Sequence, residues 1–138
     1  MTFSQTTLDK ISQILKSSGF FPMEDFTAVD SLIHSDKSIG FYTLKSCEVA
    51  GESISHDGRK FYVETDCVFE IRLMGKSGEF TDFEDFDRLC GNFFEKAVAD
   101  DDILIKSMKM ENVYQSMPLK RLSRNVMMSV RTMIEEDA

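Results

Sequence analysis

Apolar and polar residues alternate with a period of two from Lys60 to Leu73. Phe61, Val63, Cys67, Phe69, Ile71 and Leu73 hold odd positions, and Lys60, Glu64, Asp66, Glu70 and Arg72 hold even ones. Successive side chains of a strand point to opposite sides of its sheet. A pattern this long therefore predicts a strand with one face on a core and the other in water. Just upstream, Gly40 to Ala50 is rich in strand formers: Phe41, Tyr42, Thr43, Leu44, Cys47 and Val49. Between the two segments lies Ser55-His56-Asp57-Gly58-Arg59, whose Asp-Gly pair supplies the positive φ angles of a tight turn. Together they predict an antiparallel hairpin.

Two other stretches change to helical spacing. Leu8, Ile11 and Leu15 recur along one stripe between Thr7 and Ser17, and Ile14 widens it. Gly19 suits a left-handed C-terminal cap, and Pro22 cannot continue a helix. Phe83, Phe86, Leu89, Cys90, Phe93, Phe94, Ala97 and Val98 trace a broader apolar face that ends near Asp100. Thr81 and Glu84 have capping-box spacing at its start. Asp82, Glu84, Asp85 and Asp87 add negative charge where the helix dipole favours it. Residues 23–38 are ambiguous: Phe26, Val29 and Ile33 fit a short amphipathic turn of helix, and Ser35 to Ser38 reads as a loop. Ile103 to Tyr114 predicts a third strand and Ser116 to Ser123 a loop. Val126, Met128, Val130 and Ile134, alternating with Met127, Ser129, Arg131 and Met133, predict a fourth strand.

The expected fold is α+β, with the order helix–hairpin–helix–hairpin. It has a four-stranded, mostly antiparallel sheet and helices packed on one face. The 138 residues predict a single domain, 1–138, without internal repeats or low-complexity segments.

Charge narrows the function classes. Sixteen basic residues face twenty-four acidic ones, for a net charge of −8. Such a surface opposes tight binding to nucleic-acid phosphates and to anionic membranes. Cys47, Cys67 and Cys90 are widely spaced, odd in number and form no CxxC, which opposes a disulfide framework or a Cys-rich zinc site. The N-terminus lacks the basic and continuously apolar regions of a signal peptide. No apolar run approaches the ~20 residues of a membrane span. The expected setting is the cell interior, with reduced thiols.

No residue combination supports a catalytic, cofactor-binding or metal site, and none is assigned. Gly75-Lys76-Ser77 follows a strand and precedes a helix, but a phosphate loop needs a Gly where Glu70 stands. His34 and His56 are the only histidines. His56 beside Asp57 falls in the expected turn, without further metal ligands or a nucleophile. Cys67 and Cys90 fall on apolar faces and read as small core residues. The acidic residues at 82–87 are interrupted by Phe83 and Phe86 at helical spacing, unlike a calcium loop. Asp100-Asp101-Asp102 reads as a polar helix exit. Met127 and Met133 lie opposite Val126, Met128 and Val130, so the second face of the last strand is expected to be apolar and covered by another copy of the chain.

Residues 58–89, GRKFYVETDCVFEIRLMGKSGEFTDFEDFDRL, run from hairpin arm through a Gly-rich turn to a capped helix. Residues 119–134, LKRLSRNVMMSVRTMI, run from a basic loop into the last strand, and FFPMEDF at 20–26 links the first helix towards the first strand. In these stretches and in its element order the chain resembles the tail-terminator, or tail-completion, proteins of tailed phages and prophages. The resemblance implies a structural morphogenesis protein and not an enzyme. It implies a homo-oligomeric ring, tail-tube or connector proteins as partners, and no cofactor. It also implies assembly in the cytoplasm and a place in the virion. Two alternatives remain at this level. One is an acidic interaction module of the immunity or inhibitor type. The other is a small ligand binder or enzyme using His56 and Asp57.

Overall fold

The computed structural model describes residues 5–24, 37–57, 60–76, 83–116 and 121–137. Helix α1 (Gln5–Ser18) is followed by strands β1 (Phe21–Glu24), β2 (Ile39–Asp57) and β3 (Lys60–Met74). Helix α2 (Phe83–Ala99) and strands β4 (Leu104–Met110), β5 (Tyr114–Ser116) and β6 (Arg121–Asp137) complete the order. The sheet runs β1-β2-β3-β6-β4, and β5 also pairs with β6. Among the described strands only β1 runs parallel to its neighbour, β2; the other pairs are antiparallel.

The four-stranded, mostly antiparallel expectation is therefore corrected to a six-stranded mixed sheet. Strand β1 was hidden because four residues are too few to show a period and Pro22 reads as a breaker. An edge strand tolerates proline, because its outward N–H needs no partner. Phe21 N–H donates to Ser38 O at 2.7 Å beside the parallel ladder. The expected third strand divides into β4 and β5, which occupy different stretches of one long partner: β4 pairs with Val126–Arg131 and β5 with Arg121–Ser123. Strand β6 thus begins inside the segment expected to be a loop. The expected turn of helix around Phe26, Val29 and Ile33 lies outside the described residues.

The alternation in β3 works as its period demands. Cys67, Phe69, Ile71 and Leu73 are buried on one face, with Val126, Met128 and Val130 of β6 and Tyr42 of β2. Both helices cover that face: Leu8, Ile11, Ile14 and Leu15 from α1, and Phe86, Cys90, Phe93 and Ala97 from α2. Helix α1 ends in a Schellman motif. Gly19 has φ 105°, its N–H donates to Lys16 O at 3.2 Å, and Phe20 N–H donates to Leu15 O at 3.0 Å. The motif turns buried Phe20 back onto the core beside Leu15. Gly40 lets α1 settle on β2, because a Cβ there would stand 2.7 Å from a Leu15 methyl.

On the opposite face a small apolar cluster is buried at one end. Ile39, Phe41 and Met74 are buried there with Met23 against them. Next to them the fully buried Arg121 gives Nη1–H bonds to Lys37 O at 2.8 Å and Gly75 O at 2.7 Å. This guanidinium joins the entry of β2, the exit of β3 and the start of β6.

Candidate functional site

Beyond that apolar end, the helix-free face of the sheet carries ion pairs, with exposed Leu104 and Met127 among them. Arg131 on β6 lies opposite Asp66 on β3. Its Nε bonds Oδ1 at 2.8 Å and its Nη2 bonds Oδ2 at 3.1 Å. Lys106 of β4 reaches the same carboxylate at 3.2 Å, and Glu64 lies 3.8 Å from Arg131. The Arg131 guanidinium, with Lys106, holds the Asp66 carboxyl down at about 2, against its partial desolvation. Lys45 pairs with Glu70 at 2.8 Å and Arg72 bonds Asn125 at 3.1 Å. Met127 is exposed on this face among polar neighbours. The second face of β6 is thus mixed: Met127 is exposed on it, as its position in the pattern predicts, beside polar residues, and the Met133 side chain lies outside those described. Cross-strand neighbours Asp66, Glu70 and Arg72 supply its charge.

Exposed apolar side chains lie both on the helix-free face, where Phe21, Leu104, Tyr114 and Met127 stand opposite Ile39, Arg131, Ser123 and Glu70, and on α2. Phe83, Phe94 and Val98 are 51%, 44% and 56% exposed, while Phe86, Cys90, Phe93 and Ala97 on the adjoining stripe are buried. At 3.6 residues per turn, Phe94 lies about 160° around the helix from Lys96. The Lys96 ammonium donates to Ser17 O of α1. The exposed flank therefore faces away from α1. The sheet edge nearby is β4, which has no strand beyond it among the described residues. Lys106, Lys109 and a register irregularity between Ile105 and Ser107 blunt that edge against further strand pairing.

The residues weighed for chemistry do not converge. Gly75 N–H, which a phosphate loop would need, donates to Leu122 O at 2.8 Å, and a Cβ on Gly75 would meet the Phe86 ring at 3.2 Å. This glycine serves packing, and Ser77 lies outside the described residues. His34 is also outside them. His56 and Asp57 end β2 instead of occupying a turn, and their side chains are not among those described. Asp85 pairs with Arg88 at 2.8 Å and Asp87 with Arg124 at 3.2 Å, so the acidic start of α2 is partly neutralised. Lys10 bridges Asp100 at 3.0 Å and Asp102 at 2.8 Å. Among the described residues no group of three or more His, Cys, Asp or Glu side chains is placed to hold a metal. No helix among them is long and apolar enough to cross a membrane.

Cys67 and Cys90 are fully buried, as their positions in the pattern predict. Burial pushes their thiols up to about 12 and about 11. Sequence reasoning missed a contact: exposed Cys47 stands directly opposite Cys67, with the two Sγ atoms 3.2 Å apart.

No protein-family model and no curated protein matches the chain. Among solved structures it is similar to the sheath/tube terminator of an extracellular contractile injection system, PVC, in its extended state. The TM-score is 0.50 and the identity 11%, over 99% of this chain and 59% of that one. A chain of the native gene transfer agent virion aligns with TM-score 0.39 and 10% identity, over 98% of this chain and all of that one. The chain thus spans about 59% of the terminator's length and shares its fold across nearly all of its own.

Proposed function

We propose that this chain is a terminator-like morphogenesis protein that acts by protein–protein contact at the end of a phage-type tail tube. The supporting observation is the fold likeness to a sheath/tube terminator over 99% of the chain. The stretches at 58–89 and 119–134 independently resemble tail terminators. On this reading the chain is non-enzymatic, its 138 residues act as one structural domain, and it assembles in the cytoplasm before joining a virion. Copies associate as a ring, with exposed Phe94 and Val98 on the flank of α2 as one side of the contact. Tail-tube or connector proteins are the other partners. The net charge of −8 lets DNA pass such a ring without adhering.

The test combines purified chain with tail tubes assembled from the tube protein encoded in the same gene cluster. Light scattering and negative-stain images are expected to give rings of the free chain and density at tube ends. A strict monomer under all conditions that leaves tube ends bare overturns the proposal. No observation favours the immunity-type or ligand-binding alternatives.

A further inference from the structure

Strands β2 and β3 do not pair in one continuous register. Between Val49↔Thr65 and Ile54↔Val63, β2 advances five residues while β3 advances two, and a second irregularity separates Leu44 from Ser46. The intervening block pairs Ser46–Val49 with Thr65–Val68. If the register at Ile54–Asp57 continued unbroken, Cys47 would lie opposite Glu70. The three-residue shift places it opposite Cys67 instead, with sulfurs 3.2 Å apart. Directly opposed residues of an antiparallel pair have Cα atoms about 4.5–5.5 Å apart. That lies within the span a disulfide bridges, so closure needs side-chain rotation and no strand movement.

We propose that Cys47 and Cys67 are a redox pair that closes to a cross-strand disulfide on meeting a small-molecule disulfide, locking the β2–β3 register between its two irregularities. Access dictates the order of events. Cys47 is exposed and Cys67 fully buried, so the oxidant meets Cys47. With oxidised glutathione, the Cys47 thiolate attacks one sulfur, breaks the glutathione disulfide and forms a mixed disulfide. One glutathione thiolate leaves and takes a proton. Cys67, after losing its proton, attacks Cys47 Sγ, forms the intramolecular bond and releases the second glutathione. The protein loses two electrons and two protons, which reduce one glutathione disulfide to two thiols. Burial keeps Cys67 protonated near neutrality, so closure is the slow step and accelerates with rising pH. Cys90, buried in α2 against the core, has no cysteine opposite it and stays a thiol.

The test treats the full chain with oxidised glutathione at pH 7 and pH 9, followed by intact mass, thiol counting after unfolding, and peptide mapping. The expected product is a monomer about two mass units lighter, one hydrogen per sulfur. One free thiol, Cys90, remains of three, and a cross-linked peptide joins residues 47 and 67. It forms faster at pH 9, melts roughly 5 °C or more above the reduced chain, and reverts with dithiothreitol. Cys47→Ser, altered only at an exposed position, gives no lighter species. A glutathione adduct that persists on Cys47, covalent dimers as the main product, or three unreacted thiols each overturns the pairing. An oxidised form that melts no higher than the reduced one overturns the register lock.

Discussion

Gly19 is the position where one residue decides how an element ends. Its φ of 105° lies in a region that side chains with a Cβ avoid, and a Cβ there would stand 2.8 Å from a Leu89 methyl. Gly19→Ala is expected to cost about 1–2 kcal/mol from backbone conformation alone. Chemical denaturation would show a lower midpoint at an unchanged slope; an unchanged midpoint would deny the cap its role. Asp66 offers a pH-dependent test. Its folded pKa of about 2 lies below the usual 3.8, so the folded state holds the charged form more tightly than the unfolded chain does. The resulting stability is fully present above pH 3.8 and disappears as the pH falls towards 2. Asp66→Asn should remove that part of the acid-side decline in Tm and leave the profile above pH 5 parallel to that of the parent. A mutant that keeps the whole acid slope would assign it to other carboxylates.

At the scale of elements, α2 has a buried stripe and an exposed flank, and the proposed ring assigns folding to the first and association to the second. Phe93 is wholly buried between helix and sheet, so Phe93→Ala is expected to cost about 3–5 kcal/mol. Phe94 and Val98 lie on the exposed flank. Phe94→Ser and Val98→Ser should stay within about 0.5 kcal/mol of the parent while weakening association. Thermal melts and sedimentation on the same samples separate the two effects. The sequence carried this helix legibly, but as one broad apolar face from Phe83 to Val98. Periodicity shows where apolar residues lie and not how wide a stripe the sheet can cover. The same limit explains the sheet. β3 was legible because one alternation is sustained over most of Lys60 to Leu73, whereas β1 and β5 are too short to have a period. β6 was extended backwards to Arg121 by a partner, β5, that only the fold reveals. The Cys47–Cys67 contact was beyond any pattern, because it depends on a register shift and not on residue type.

At the scale of the whole molecule, charge and apolar surface make opposite demands on assembly, and salt distinguishes them. Every copy carries −8, so copies repel one another at a distance. On the proposed reading, the exposed flank of α2 attracts only in contact, by removing Phe94 and Val98 from water. Salt shortens the range of the repulsion, from a Debye length of about 30 Å at 0.01 M to about 10 Å at 0.1 M and about 3 Å at 1 M. It leaves apolar burial intact. The ionic face around Asp66 and Arg131 would behave in the opposite way, because screening weakens exposed pairs. If the α2 flank joins the copies, sedimentation velocity should show the oligomer gaining population as sodium chloride rises from low to near-molar concentration. The Phe94→Ser, Val98→Ser double variant should remain small throughout. An oligomer that dissociates as salt rises would move the contact to the charged face of the sheet. In that case Arg131→Gln, and not the α2 variants, should abolish it.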